Sequence, residues 1–297
     1  MTPSSIPEGA AGCRAISDQL MDADPDVALG GGRAAFLPED VEDPEDGAGA
    51  RRDGRNLIEE WRESRGRRAF VTSAEELRAI DIRRTEKLLG LFARGSMVFE
   101  DESADDGSSN PTLAEMTSTA LDILEKNDDG YFLFVEHEGT DDLQHGGYVK
   151  RALDALLELN DAVEVALEKA NLRNTLIIVS ADHAQSLTFG GYPDKGNPIL
   201  GLVREDGEIA LARDGKPFTT LGFYAGPRSW EGPRPDLSGV DTEADDFIPY
   251  AAVPTGSVTH SGADVAVYAI GPWADLFTGV MEQNALNALI RHAAGAD

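Results

Sequence analysis

Cysteine is nearly absent from this 297-residue chain. Cys13 is the only one, so no disulfide can close within the chain and no Cys-x-x-Cys metal site exists. Lysine is scarce too, with six residues against twenty arginines, and the 26 basic residues face 54 acidic ones, for a formal charge of −28. A chain so poor in positive charge cannot displace the counterions of a phosphate backbone, which argues against nucleic acid as a partner. The same deficit argues against anionic membrane surfaces. No apolar run approaches the ~18 residues of a membrane span. The opening MTPSSIPEGAAGCR has neither a charged n-region nor an apolar h-region, so it does not read as a signal peptide. Histidine numbers only five.

What is present is a globular composition. Hydrophobic residues make up 41% of the chain, enough for one large α/β domain or two smaller ones. Asp and Glu are spread along the whole length rather than gathered in one tail, a distribution that keeps a protein soluble through self-repulsion and that salt-adapted organisms use. The sequence reads as halophilic, the alternative being an ordinary acidic protein from a GC-rich genome.

Along the chain, CRAISDQLMDADPDVALGGGRAAF predicts a short helix, a strand and a tight glycine turn, GGGR lacking the spacing of a phosphate loop. Residues 37–55 read as an acidic, glycine-rich loop, NLIEEWRESRG as an amphipathic helix and RAFVTS as a short strand. Residues 93–112 are polar and loop-like, and Pro111 and Thr112 open a helix over LAEMTSTALDILEKN. The apolar run YFLFVE at 131–136 predicts a buried strand, followed by the helix YVKRALDALLELNDAVEVALEKA and the strand TLIIVSADH at 175–183, an order that implies a parallel crossover unit. DVAVYAIG at 264–271 predicts a further strand and MEQNALNALIRHAAG a terminal helix. The domain reading is an α/β core over 1–183, a loop-rich insertion over 184–259, and a return to the core over 260–297.

The predicted strands run straight into carboxylates and imidazoles, where parallel sheets bind their ligands. Asp141 and His145 lie four apart just beyond Glu136, a spacing that on a helix places both on one face. Asp182 and His183 close the next strand, where they converge only if the chain turns, and His260 enters from a loop before a third strand. Carboxylate oxygen with imidazole nitrogen is a ligand set for zinc, and carboxylate alone suits magnesium. His137 and His292 read as structural, with His137 close enough to Glu136 to support it.

These residues, with DVALGGGR, DGRNLIEEW, PTLAEM, YFLFVEHEGTD, NTLIIVSADH, LTFGGYPDKGNPILGL, THSGADVAVYA and GVMEQN, resemble the alkaline phosphatase family, its animal-type branch in particular. The resemblance implies a three-layer α/β sandwich with a mostly parallel central sheet, interrupted by a crown-like insertion. It also implies hydrolysis of phosphate monoesters by two Zn2+ ions and one Mg2+ beside a phosphorylated serine. By position, Asp141, His145 and His260 resemble ligands of the first zinc, Asp182 and His183 part of the second zinc site, and Glu136 a magnesium ligand. Glu45 and the Phe92 carbonyl match parts of a surface Ca2+ site, although Ala93 and Asn110 depart from it.

The departures matter as much. The family's Asp-Ser-Ala nucleophile is not found here; the nearest look-alike, Glu102-Ser103-Ala104, lies in an acidic loop, so no catalytic nucleophile is assigned. Cys13 matches a half-cystine whose partner falls outside the matching region, and His137 and Glu138 stand where relatives have glycines. The expectation is an N-terminally truncated phosphatase, a fragment inactive by itself. A homodimer is one partner the resemblance allows, and one alternative is a split phosphatase in which a separate polypeptide donates the nucleophile half. The other alternative is a metal-binding protein without catalysis. The family suggests export to the cell envelope or beyond.

Overall fold

The computed structural model describes residues 9–45, 47–97 and 110–296. Ser103 and the side chain of Cys13 lie outside the described residues. The fold divides into two compact units, Met1–Val135 with Glu158–Lys169, and Glu136–Leu157 with Ala170–Asp297.

The first unit is built on a small parallel sheet. Helix α1 (Gly9–Ala23) leads into β1 (Val27–Gly30), after which Gly32 adopts φ 82° and turns the chain into a 3-10 turn at Arg33–Phe36. Helix α2 (Leu57–Glu63) is capped by the Asn56 side chain, which accepts from the Glu59 amide, and is followed by β2 (Arg68–Val71), α3 (Ala74–Ala79) and β3 (Lys87–Leu91). The strands pair in parallel in the order β1-β3-β2. β3, which the sequence reading passed over, is thus the central strand. Its side chains alternate between faces as a strand requires. Leu89 and Leu91 pack with Leu57, Ile58 and Trp61 of α2 on one side, and Leu88 packs with Leu77 of α3 on the other. Helix α4 (Leu113–Leu124) joins that second layer through Ile123. It begins where Pro111 and Thr112 predict, with Thr112 and Glu115 capping each other reciprocally. Helices on both faces of a parallel sheet give the α/β class that the resemblance implies.

The second unit opens with α5 (Gly139–Gly146). Helix α6 (Val149–Lys169) contributes residues to both units. There follow β4 (Ile177–Ser180), β5 (Ala184–Gln185), β6 (Leu187–Phe189), a hairpin of β7 (Arg204–Glu205) and β8 (Glu208–Ile209), then β9 (Leu221–Gly226) and β10 (Ala251–Pro254). The chain ends with β11 (His260–Ser261), β12 (Val267–Ile270) and α7 (Ala285–Ala293). β9 and β10 pair in parallel with β6 antiparallel on the other edge, and Leu221, Phe223 and Ala251 from this sheet form a core with Val149 and Val258. Asp206 and Gly207, both at positive φ, make the tight turn of the β7-β8 hairpin, and Asp194 accepts both of their amides.

One expected element is corrected. Residues 131–136 join no β-ladder among the described residues; they have no regular secondary structure, and Phe132 and Phe134 are exposed at 71% and 73%. Nor does β4 take a parallel partner on this side. It pairs antiparallel with β12, from Ile177↔Ile270 to Ser180↔Val267, so the parallel crossover expected over 131–183 does not form. An apolar run defines the conformation of a strand, but the ladder needs a second edge in register, and that is a long-range matter.

Candidate metal centre

Three donors from distant parts of the chain meet at one point. Asp141 and His145 stand one turn apart on α5, Asp141 in the first turn, where the helix dipole favours a carboxylate, and His145 in the last. His145 Nε2 lies 3.1 Å from Asp141 Oδ2. His260, on β11, brings its Nε2 to 3.0 Å from His145 Nε2 and 3.5 Å from Asp141 Oδ1. These three form the group of potential metal donors found among the described residues, with ligand atoms mutually within 4.8 Å.

Backbone pairing delivers His260. β11 lies antiparallel to β5, with His260 opposite Gln185 and Ser261 opposite Ala184, and Ser261 Oγ donates to the Gln185 carbonyl at 2.9 Å. His145 is fixed by Val258, whose carbonyl accepts from the ring Nδ1 at 2.7 Å. That bond puts the proton on Nδ1 and leaves a lone pair on Nε2 in the neutral ring.

The donor set fits a divalent cation. Two imidazole Nε2 atoms and a carboxylate converge with only one proton, at most, to share between the two nitrogens, and a zinc-sized cation satisfies all three at once. The second imidazole–carboxylate pair lies alongside. The chain bends at Asp182 and His183, so the two converge as the turn requires: His183 Nε2 is 3.2 Å from Asp182 Oδ2, and Asp182 Oδ1 accepts the His183 amide at 3.0 Å. The His183 ring stacks on His260, centroids 3.6 Å apart, and its buried Nδ1 has no hydrogen-bond partner among the described residues.

Glu136 is exposed and outside the trio. Its charge reaches Glu138, whose carboxyl is pushed up by burial and by the charges of Asp142, Glu136 and Asp141. In the first unit, Glu45 gives one oxygen to Arg33 at 3.1 Å and the other to the Arg94 amide at 2.8 Å, and Phe92 is buried in the core. His292 packs edge-on against Trp273 and is not a member of the trio.

Two residues escaped the sequence reading. Gln185 donates through Nε2 to Asp141 Oδ1 at 2.6 Å, and Gln283 donates to the Asp182 carbonyl at 2.8 Å. The only signal in the sequence was position, Gln185 standing two residues beyond His183 and Gln283 within GVMEQN.

Known proteins resemble this chain along nearly its whole length. The family model described as alkaline phosphatase matches residues 2–296. The tissue-nonspecific alkaline phosphatase of Gallus gallus is 40% identical over 295 residues, covering 95% of this chain and 56% of that protein. Alkaline phosphatase of Gadus morhua is 36% identical, covering 96% of this chain and 61% of the relative. This chain thus spans little more than half the length of these relatives. Among solved structures, Thermus thermophilus alkaline phosphatase superimposes with TM-score 0.66 at 20% identity, covering 96% of this chain and 65% of that one. A TAB5 alkaline phosphatase mutant with Mg bound in its M3 site gives 0.62 at 19% identity, covering 97% and 68%.

Proposed function

This chain belongs to the alkaline phosphatase family, and we propose that it supplies the metal-holding part of a hydrolase of phosphate monoesters. The observation that carries the reading is the convergence of Asp141, His145 and His260, three donors from two segments, with no other assigned role. In this reading Asp141, His145 and His260 hold one zinc ion, Asp182 and His183 contribute to a second, and Glu136 serves a magnesium ion. Bound there, the pair of zinc ions supplies Lewis acidity to the entering and leaving oxygens of an in-line phosphoryl displacement.

The chain's own residues do the holding. Val258 keeps the His145 proton on Nδ1, so that Nε2 is a donor to a cation. Asp141 sets its carboxylate charge against both imidazoles, and Asp182 orients the His183 ring. The phosphorylated serine is not part of this contribution, because no Asp-Ser-Ala occurs in the sequence. A calcium ion at Glu45 and Phe92 would have to displace Arg33 from Glu45. The charge of −28 supports salt adaptation as a further part of it.

The test is a paired measurement on the full chain. Zinc should bind, and with zinc and magnesium at high salt the chain alone should not turn over p-nitrophenyl phosphate. Addition of a polypeptide carrying the Asp-Ser-Ala segment of a relative should then restore EDTA-sensitive hydrolysis. Zinc binding with no restoration favours the metal-binding protein without catalysis, and failure to bind zinc overturns both.

A further inference from the structure

Gln185 touches two of the three converging donors, one through its side chain and the other through its backbone. The side chain is buried, and its Nε2 donates to Asp141 Oδ1 at 2.6 Å. An ionised carboxylate only accepts, so the amide nitrogen is the end that must face it. The backbone of Gln185 is the β-partner of His260, and its carbonyl is pinned by Ser261 Oγ at 2.9 Å. The amide Oε1, in turn, is buried and without a hydrogen-bond partner among the described residues. An amide placed only to fill the interior would leave no bare acceptor there, because a buried carbonyl without a hydrogen bond is destabilising. That cost is accepted here where Nε2 holds the carboxylate.

We infer that Gln185 is the positioning residue of this centre, resting on the metal reading above: it fixes the Asp141 carboxylate by occupying a lone pair of Oδ1 and sets His260 across from it. With Oδ1 tethered, the carboxylate cannot rotate away from the imidazoles, and Oδ2 stays 3.1 Å from His145 Nε2. Groups that orient metal ligands in this way are worth roughly 10–100-fold in metal affinity.

The experiment compares the full-length chain with Gln185→Met, which keeps the volume and removes the donor, and with Gln185→Glu, which keeps the shape and sets a second carboxylate against Asp141. Zinc affinity is measured by competition with a chromophoric chelator, and the site is probed with Co(II) through its visible absorption. Gln185→Met should bind zinc about 10–100-fold more weakly, and both variants should shift the Co(II) bands. A purely structural amide would leave those bands unmoved. If Gln185→Met does not fold, Gln185→Glu carries the spectral comparison. Wild-type chain that binds zinc while both variants match it in affinity and spectrum overturns this inference alone. Wild-type chain that binds no zinc overturns the metal reading and this inference with it.

Discussion

His145 and Val258 hold each other through two hydrogen bonds. The ring Nδ1 donates to the Val258 carbonyl at 2.7 Å, and the Val258 amide donates to the His145 carbonyl at 2.9 Å. Val258 is fully buried and packs with Val149, Leu221, Phe223 and Ala251. The imidazole is therefore tied directly to the core of its unit, which fixes its tautomer and its direction before any ion arrives.

Loss of one donor should disable the centre without unfolding it. His260→Ala is expected to weaken zinc binding by about a hundredfold or more, beyond the range typical of supporting residues. His292→Ala, in the terminal helix, should leave zinc affinity unchanged. For the wild-type chain, zinc at about 100 times its Kd should stabilise folding by about 2.7 kcal/mol, and EDTA should remove that increment. Calorimetry with and without chelator reads both effects, and an equal loss in the two variants would contradict the assignment.

Trp61 is the largest fully buried side chain of the first unit, and its Nε1 donates to the Ala69 carbonyl at 3.0 Å. Trp61→Ala should cost about 3–5 kcal/mol through lost burial and the cavity left behind. Urea denaturation followed by circular dichroism measures it. A cost under about 1 kcal/mol would mean that α2 is not packed on the sheet as described.

Asp43 and Arg33 form a buried pair with two hydrogen bonds, at 2.9 and 2.7 Å. Burial by itself would push the Asp43 carboxyl up. The Arg33 guanidinium, the Glu45 amide and the charge of Arg94 outweigh it and hold the group below its ordinary value near 3.8. A depressed carboxyl contributes stability that is complete above that ordinary value and is lost as pH falls through the lower folded one. Asp43→Asn should therefore be less stable than wild type near neutral pH, with the gap narrowing below pH 3.8. Denaturation midpoints across that range check the sign, and a gap that widens on acidification would refute it.

Self-repulsion at a charge of −28 should make stability depend on salt. The Debye length falls from about 10 Å at 0.1 M to about 3 Å at 1 M, so repulsion between exposed carboxylates is largely screened over that interval. The melting temperature should rise with KCl across it. A flat or falling curve would remove the case for salt adaptation.

Much of the arrangement of the candidate site was legible because its signals are local. The four-residue spacing of Asp141 and His145 needs only helical geometry to bring them together, and α5 provides it. The bend that lets Asp182 and His183 converge was required by alternation along a strand. β3 was overlooked because KLLGL is short and lacks a periodic pattern, although as the centre of its sheet it is covered on both faces. The pairing of 131–136 was misjudged for the complementary reason, since an apolar run says that a strand can form but not which edge will accept it.

By itself the sequence determined the family, the α/β class, and which carboxylates and imidazoles were candidates, because motifs and periodicity are written within a few residues of one another. Tertiary structure alone decided that His260 crosses 115 positions to meet His145, and that Gln185 and Val258 hold the trio in place. It also decided that β4 pairs with β12. Those arrangements depend on β-ladders and buried hydrogen bonds between distant segments, whose partners become available only once the core that carries them has formed.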